Sequence, residues 1–131
     1  MTLFVFRLDK TREMAYLYVA ELESEEPKIQ VVSLAFSGKK DLALFYACNK
    51  INRVEYGEGG VRIIADGISY EFSRNELCIL EDLTSEEHDL ALCISQEYVS
   101  LVETLLKLVK ACQKSYNALR EAVREEEKEE S

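Results

Sequence analysis

A chain of 131 residues with 47% apolar content is long enough to bury one modest core, and it suits a single domain with an extension. The net charge of −9 argues against indiscriminate binding to a polyanion, and uncharged apolar runs such as Leu3 to Phe6 and Leu42 to Cys48 fall far short of the ~20 residues that span a bilayer. The N-terminus MTLFVFRLDK has no basic leader and no cleavage-like small-residue pair, so a cytosolic protein with no membrane contact is expected.

In chain order, Leu3 to Leu8 and Met14 to Leu22 are aromatic and β-branched runs around the turn-like DKTR, which predicts a strand hairpin. SEEP, with the only proline, marks a loop before a third strand over Ile29 to Phe36. After Ser37 and Gly38 the spacing predicts a helix over Lys39 to Ile51, with Leu44, Phe45, Cys48 and Ile51 facing inward. Asn52 to Phe72 reads as two successive hairpins, because GEGG punctuates the first and Asp66-Gly67 suits a two-residue type I′ turn. That turn pairs Ala65 with Ile68, Ile63 with Tyr70, Arg62 with Glu71 and Val61 with Phe72. Val54, Tyr56, Val61, Ile63, Ala65, Ile68, Tyr70 and Phe72 then share the inner face, while Arg53, Glu55, Arg62, Ile64, Ser69 and Glu71 form a solvated, ion-paired outer face.

SRNELCILEDL is ambiguous between a short helix and a strand. Thr84 or Ser85 then caps a helix, with Glu87 completing a capping-box pattern, that is expected to run unbroken from about Glu86 into the charge-dense tail. Within it Val102, Leu105, Val109, Cys112, Tyr116, Leu119 and Val123 recur at alternating spacings of 3 and 4, the a and d positions of a heptad. The apolar face is wide from Tyr98 to Val109 and narrow beyond Cys112. The wide part is expected to seal the β domain, and the narrow part to project and join a dimer or tetramer.

Little in the chain points to catalysis. His88, the lone histidine, stands among Glu86, Glu87 and Asp89, and the Gly57-Glu58-Gly59-Gly60 cluster lacks the helix start and lysine of a phosphate loop. Cys48, Cys78, Cys93 and Cys112 lie 30, 15 and 19 residues apart with no C-x-x-C, so they are expected to be small buried side chains without a metal or redox role. No enzyme, metal or cofactor is expected.

Charge distribution is more suggestive. Residues 1 to 75 hold ten Lys/Arg against eleven Asp/Glu, residues 76 to 131 hold six against fourteen, and Lys28 to Arg62 alone holds six bases against three acids. On the expected helix, Tyr46 would face outward near Lys39 and Lys50, with Arg53 following. Cations with an aromatic surface are the elements of sequence-tolerant single-strand recognition. Lys39, Lys40, Tyr46, Lys50, Arg53, Tyr56 and Arg62 are therefore the candidate nucleic-acid contacts. Tyr16, Tyr18, Tyr56, Tyr70 and Phe72 are a second aromatic set, mostly core unless they line a cleft. Abundant Glu, Lys and Arg with scarce Asn and Gln is a balance reported for hyperthermophilic proteins.

Through KKDLALFYACNKI, the hairpins NRVEYGEGGVRIIADGISYEF and the seam VETLLKLVKACQKSYNALREAV, the order of elements resembles ThermoDBP and its relatives, single-stranded-DNA-binding proteins of hyperthermophilic archaea. The resemblance implies a nucleic-acid cleft, apolar and edged by basic residues, for which Lys39, Lys50, Arg53 and Arg62 are the matching candidates. The expected fold is α+β: a small antiparallel sheet with a packed helix over residues 1–97, an oligomerising coiled-coil helix over 98–124, and an acidic frayed tail over 125–131. The expected function is an oligomeric binder of single-stranded DNA or RNA with low sequence specificity. A competing expectation is an assembly or adaptor protein whose C-terminal helix engages another polypeptide, and a small-molecule enzyme is a distant third.

Overall fold

The structure, a computed structural model, describes residues 1–36, 45–80 and 87–130. Within them the chain forms β1 (Thr2–Asp9), β2 (Met14–Glu21), β3 (Lys28–Ala35), β4 (Phe45–Gly57), β5 (Gly60–Ala65), β6 (Ile68–Ser73), β7 (Leu77–Leu80), α1 (Glu87–Ile94) and α2 (Val99–Glu130). It is an α+β fold in which one antiparallel sheet has the strand order β6-β5-β4-β3-β2-β1-β7.

Period-2 alternation gives the sheet two apolar faces. Phe4, Leu17, Val19, Val32 and Cys78 face the helices and bury Leu90, Val102, Leu105, Leu106 and Val109. Leu3, Val5, Ile29 and Val31 face the other way, into a second core with Ile51, Ile63, Ala65 and Phe72. Since β1 and β3 share that core with β5 and β6, the sheet must curl until its β4–β6 limb lies over the face opposite the helices.

The hinge of the curl is β4. Its first half pairs with β3 from Phe45 to Lys50, its second half pairs with β5, and the register shifts between Ile51 and Arg53. This bulge at Asn52 bends the strand. Asn52 Oδ1 accepts the Asp66 N–H at 2.9 Å, Asp66 Oδ2 accepts the Lys50 N–H at 3.1 Å, and the Ile51 N–H reaches the Pro27 carbonyl at 2.8 Å. Asp66 and Gly67 have φ of 48° and 79°, as a type I′ turn requires, and the four predicted β5–β6 pairs all form. Gly60 is required for close approach, because a Cβ there would lie 1.9 Å from the Phe72 carbonyl oxygen.

Three expectations need correction. First, no helix contains Phe45 to Ile51; Lys39 to Leu44 lie outside the described residues, and from Phe45 onward the chain is β4. Phe45, Cys48 and Ile51 are each three apart, which imitates helical spacing, and six pairs to β3 override it. Second, the C-terminal helix is not continuous from Glu86, since α1 ends at Ile94 and α2 starts at Val99. The turn sends α1 along β1 and β7 and α2 across β2 and β3. Thr84 and Ser85, the expected caps, lie outside the described residues. Third, Cys78 and Cys93 are joined in a disulfide that fastens α1 to β7, because pairing of β7 with β1 brings Cys78 beneath that helix. The ambiguous SRNELCILEDL contributes the strand β7.

Candidate functional site

Three surfaces hold the residues singled out above, beginning with α2. Val102, Leu105 and Val109 are buried in the helix-side core, so these seam positions face their own sheet rather than another chain. Cys112 and Tyr116 are half-buried where α2 passes β4, and the Tyr116 ring meets that of Tyr46 edge-on at 6.2 Å. Beyond Tyr116 the stripe leaves the body: Leu119 is 65% and Val123 46% exposed. The helix pair is tied near its base by Lys110 Nζ to Glu87 Oε1 at 2.6 Å, which holds the Glu87 carboxyl below its usual range, and by His88 Nδ1 to Glu103 Oε1 at 2.9 Å.

The second surface is the junction that α2 makes with β3 and β4. Tyr46 donates its hydroxyl to Gln30 Oε1 at 2.9 Å, and Gln30 is fully buried with no hydrogen-bond partner for Nε2 among the described residues. Burial, then the neighbouring Cys48, raise the Tyr46 pKa far above its ordinary value; burial also raises the Cys112 thiol. Tyr46, expected to face outward, instead faces α2, and Lys39 and Lys40 lie outside the described residues. Lys50 lines a hollow of about 380 Å³ beside Tyr116 with Lys28, Cys48, Asn49, Glu26, Pro27 and Asp66.

The third surface is the concave side of the sheet, where the limb leaves its mouth open. Tyr18 packs on Tyr16 at 6.4 Å, on Tyr70 at 5.9 Å and on Phe72 at 5.1 Å. The Arg7 guanidinium stands 4.9 Å from the Phe72 centroid and 5.8 Å from that of Tyr18, donates to Glu76 Oε2 at 2.9 and 3.0 Å, and also reaches the Glu71 carbonyl. Burial raises the Tyr18 pKa against the opposing pull of Arg7. Tyr16 pairs with Ser33, which pairs with Phe45, so Phe45, 59% exposed, extends the aromatic row across the mouth. Arg7 belongs as well to a neighbouring hollow of about 570 Å³ that also takes in Tyr56, Arg62, Glu55, Glu71 and Glu76.

Tyr56 and Arg62, singled out in sequence, are thus brought together, while Tyr46 and Lys50 lie on the opposite, helix-facing side of the sheet. Arg53 and Arg62 are largely neutralised: Arg53 pairs with Glu55 at 2.5 Å, and Arg62 with Glu71 at 2.7 Å and Glu55 at 3.4 Å. Sequence reasoning missed Arg7 and Gln30. The signal was present, since each is a polar residue inside an apolar strand, where a buried polar group needs a partner. No protein-family model matches the chain, and no curated protein or solved structure matches it either. No helix among the described residues is long and apolar enough to cross a membrane.

Proposed function

We propose that the protein is a non-enzymatic assembly protein in which the curled sheet, α1 and the first half of α2 form a body and the projecting half of α2 joins that body to another polypeptide. The observation that carries this reading is the exposure of Leu119 and Val123 on the same stripe whose earlier members fill the core. Burial of a Leu or Val side chain is worth about 1.5–3 kcal/mol, and that gain is open to a partner on this stripe. The double variant Leu119→Glu/Val123→Glu, altered only at exposed positions, is expected to keep its circular dichroism and melting behaviour and to lose association. Unchanged association would remove the stripe from the account.

A second reading, sequence-tolerant binding of single-stranded DNA or RNA, draws support from the mouth. Tyr16, Tyr18, Tyr70 and Phe45 offer stacking surface on one face, Arg7 stands among them, and the adjoining hollow adds Tyr56, 68% exposed. The resemblance to ThermoDBP implies an apolar cleft edged by basic residues, a role for which Arg7 joins the expected Arg62 at the adjoining hollow. Fluorescence anisotropy with mixed-sequence DNA and RNA oligomers tests it. Binding should weaken with salt by a slope of about −0.7 per phosphate contacted, and Tyr16→Ala should cost ~1–3 kcal/mol. Absence of binding at low salt would discard this reading and leave assembly untouched.

A further inference from the structure

The next question rests on the assembly reading: which polypeptide fits the stripe? We infer that it is a second copy of this chain, and that the two projecting α2 segments pair antiparallel about a twofold axis near residue 121.

Direction follows from where the body lies. Leu119 and Val123 continue the line of Val102, Leu105, Val109 and Tyr116, and a heptad stripe drifts only about 20° per repeat on a straight helix. The exposed stripe therefore looks toward the side of α2 that carries the sheet. In a parallel pair with axes 8–10 Å apart, both sheets would have to fit between the helices. An antiparallel pair sends the two bodies to opposite ends.

Register follows from where the body stops. Leu119 of one copy against Val123 of the other, and the reverse, is a d-to-a pairing that uses only the uncovered stripe. In this register residues 126–130 of each copy run beside residues 112–116 of the other, at the edge where Tyr46 of β4 packs on Tyr116.

Charge selects the same arrangement. From Lys107 to Arg120 the sequence has four bases and no acid, and from Glu121 to Glu130 it has six acids and two bases. A parallel pair sets acid beside acid. The antiparallel pair lays each acid-rich end along residues 112–120 of the other copy, which hold Lys114 and Arg120 and no acid, toward the hollow lined by Lys28 and Lys50, although Glu26 and Asp66 line that hollow too. The segment from Asn117 to Glu130 is about 21 Å long at 1.5 Å per residue, so the interface is small and the dimer weak and concentration-dependent.

Spin-label distances separate the alternatives. In a Cys48→Ser/Cys112→Ser background, labels at Glu121→Cys should lie about 20 Å apart across the axis, whereas labels at Lys107→Cys should lie about 40 Å apart or more, since each is 14 residues from the axis along the helix. Light scattering on the native chain provides a second measurement that needs no substitution: raising salt should shift the dimer toward monomer, because complementary charges are screened. Short distances at both positions, or a dimer strengthened by salt, would overturn the antiparallel pairing and leave the assembly reading standing. A chain that stays monomeric and pairs only with a different protein would also overturn it. A monomer with no partner would remove both.

Discussion

Tyr46 is where residue-level chemistry departs furthest from the sequence expectation, and it carries a testable consequence. Its hydroxyl is the hydrogen-bond partner of a fully buried Gln30 whose Nε2 already has none among the described residues. Tyr46→Phe would leave both ends of a buried amide unpaired, so a loss of about 1–3 kcal/mol is expected in denaturant titration at neutral pH. The sign of the pH dependence is also set. The folded protein holds the Tyr46 proton above the ordinary value of 10.0, so this contribution to stability is complete below pH 10.0 and declines as pH rises toward the folded value. The phenylalanine variant lacks that dependence. The stability gap between the two proteins should therefore narrow between pH 9 and about pH 11, and a gap that widens would contradict the assignment. Sequence pattern placed Tyr46 outward because it was read on a helix; a strand turns the same residue toward α2.

At the scale of elements, local chemistry made some pairings legible. Asp66-Gly67 determines a turn of known geometry, so the register of β5 and β6 could be read rung by rung, and the alternation in β1, β2 and β3 could be read as strands. The β4 bulge was not legible, because one extra residue breaks period 2 where the strand changes partners. The α1–α2 break lacked any Gly or Pro to announce it. Nor could spacing reveal the disulfide, since Cys78 and Cys93 meet only after β7 has paired with β1 and α1 has docked. The bridge closes a loop of 15 residues, for which chain entropy gives about 3 kcal/mol. Reduction should therefore lower the unfolding midpoint and release protection of α1 amides before those of β2 and β3, as read by hydrogen exchange. Identical midpoints in oxidised and reduced protein would show that the bridge adds nothing to the docking of α1.

For the whole molecule, the wide face of the heptad seam was legible as domain packing, and its narrow continuation as a projecting stripe. What the seam could not reveal was how far the body reaches along it: β4 covers α2 as far as Tyr116, so the uncovered portion begins only at Leu119. Tyr16, Tyr18, Tyr70 and Phe72 were legible as a possible cleft lining, but Arg7 and Phe45 were not, as they join Tyr16 only once β1 to β4 are in register. The central claim is that the uncovered stripe joins this protein to a second copy. Multi-angle light scattering of the full chain over a concentration series tests it most directly. The measured mass should rise from that of one 15.0 kDa chain toward twice that value as concentration passes through tens to hundreds of micromolar, on the order of a weak association, and Leu119→Glu/Val123→Glu should hold it at the lower value throughout. A native chain that keeps the single-chain mass across the whole series would contradict the account.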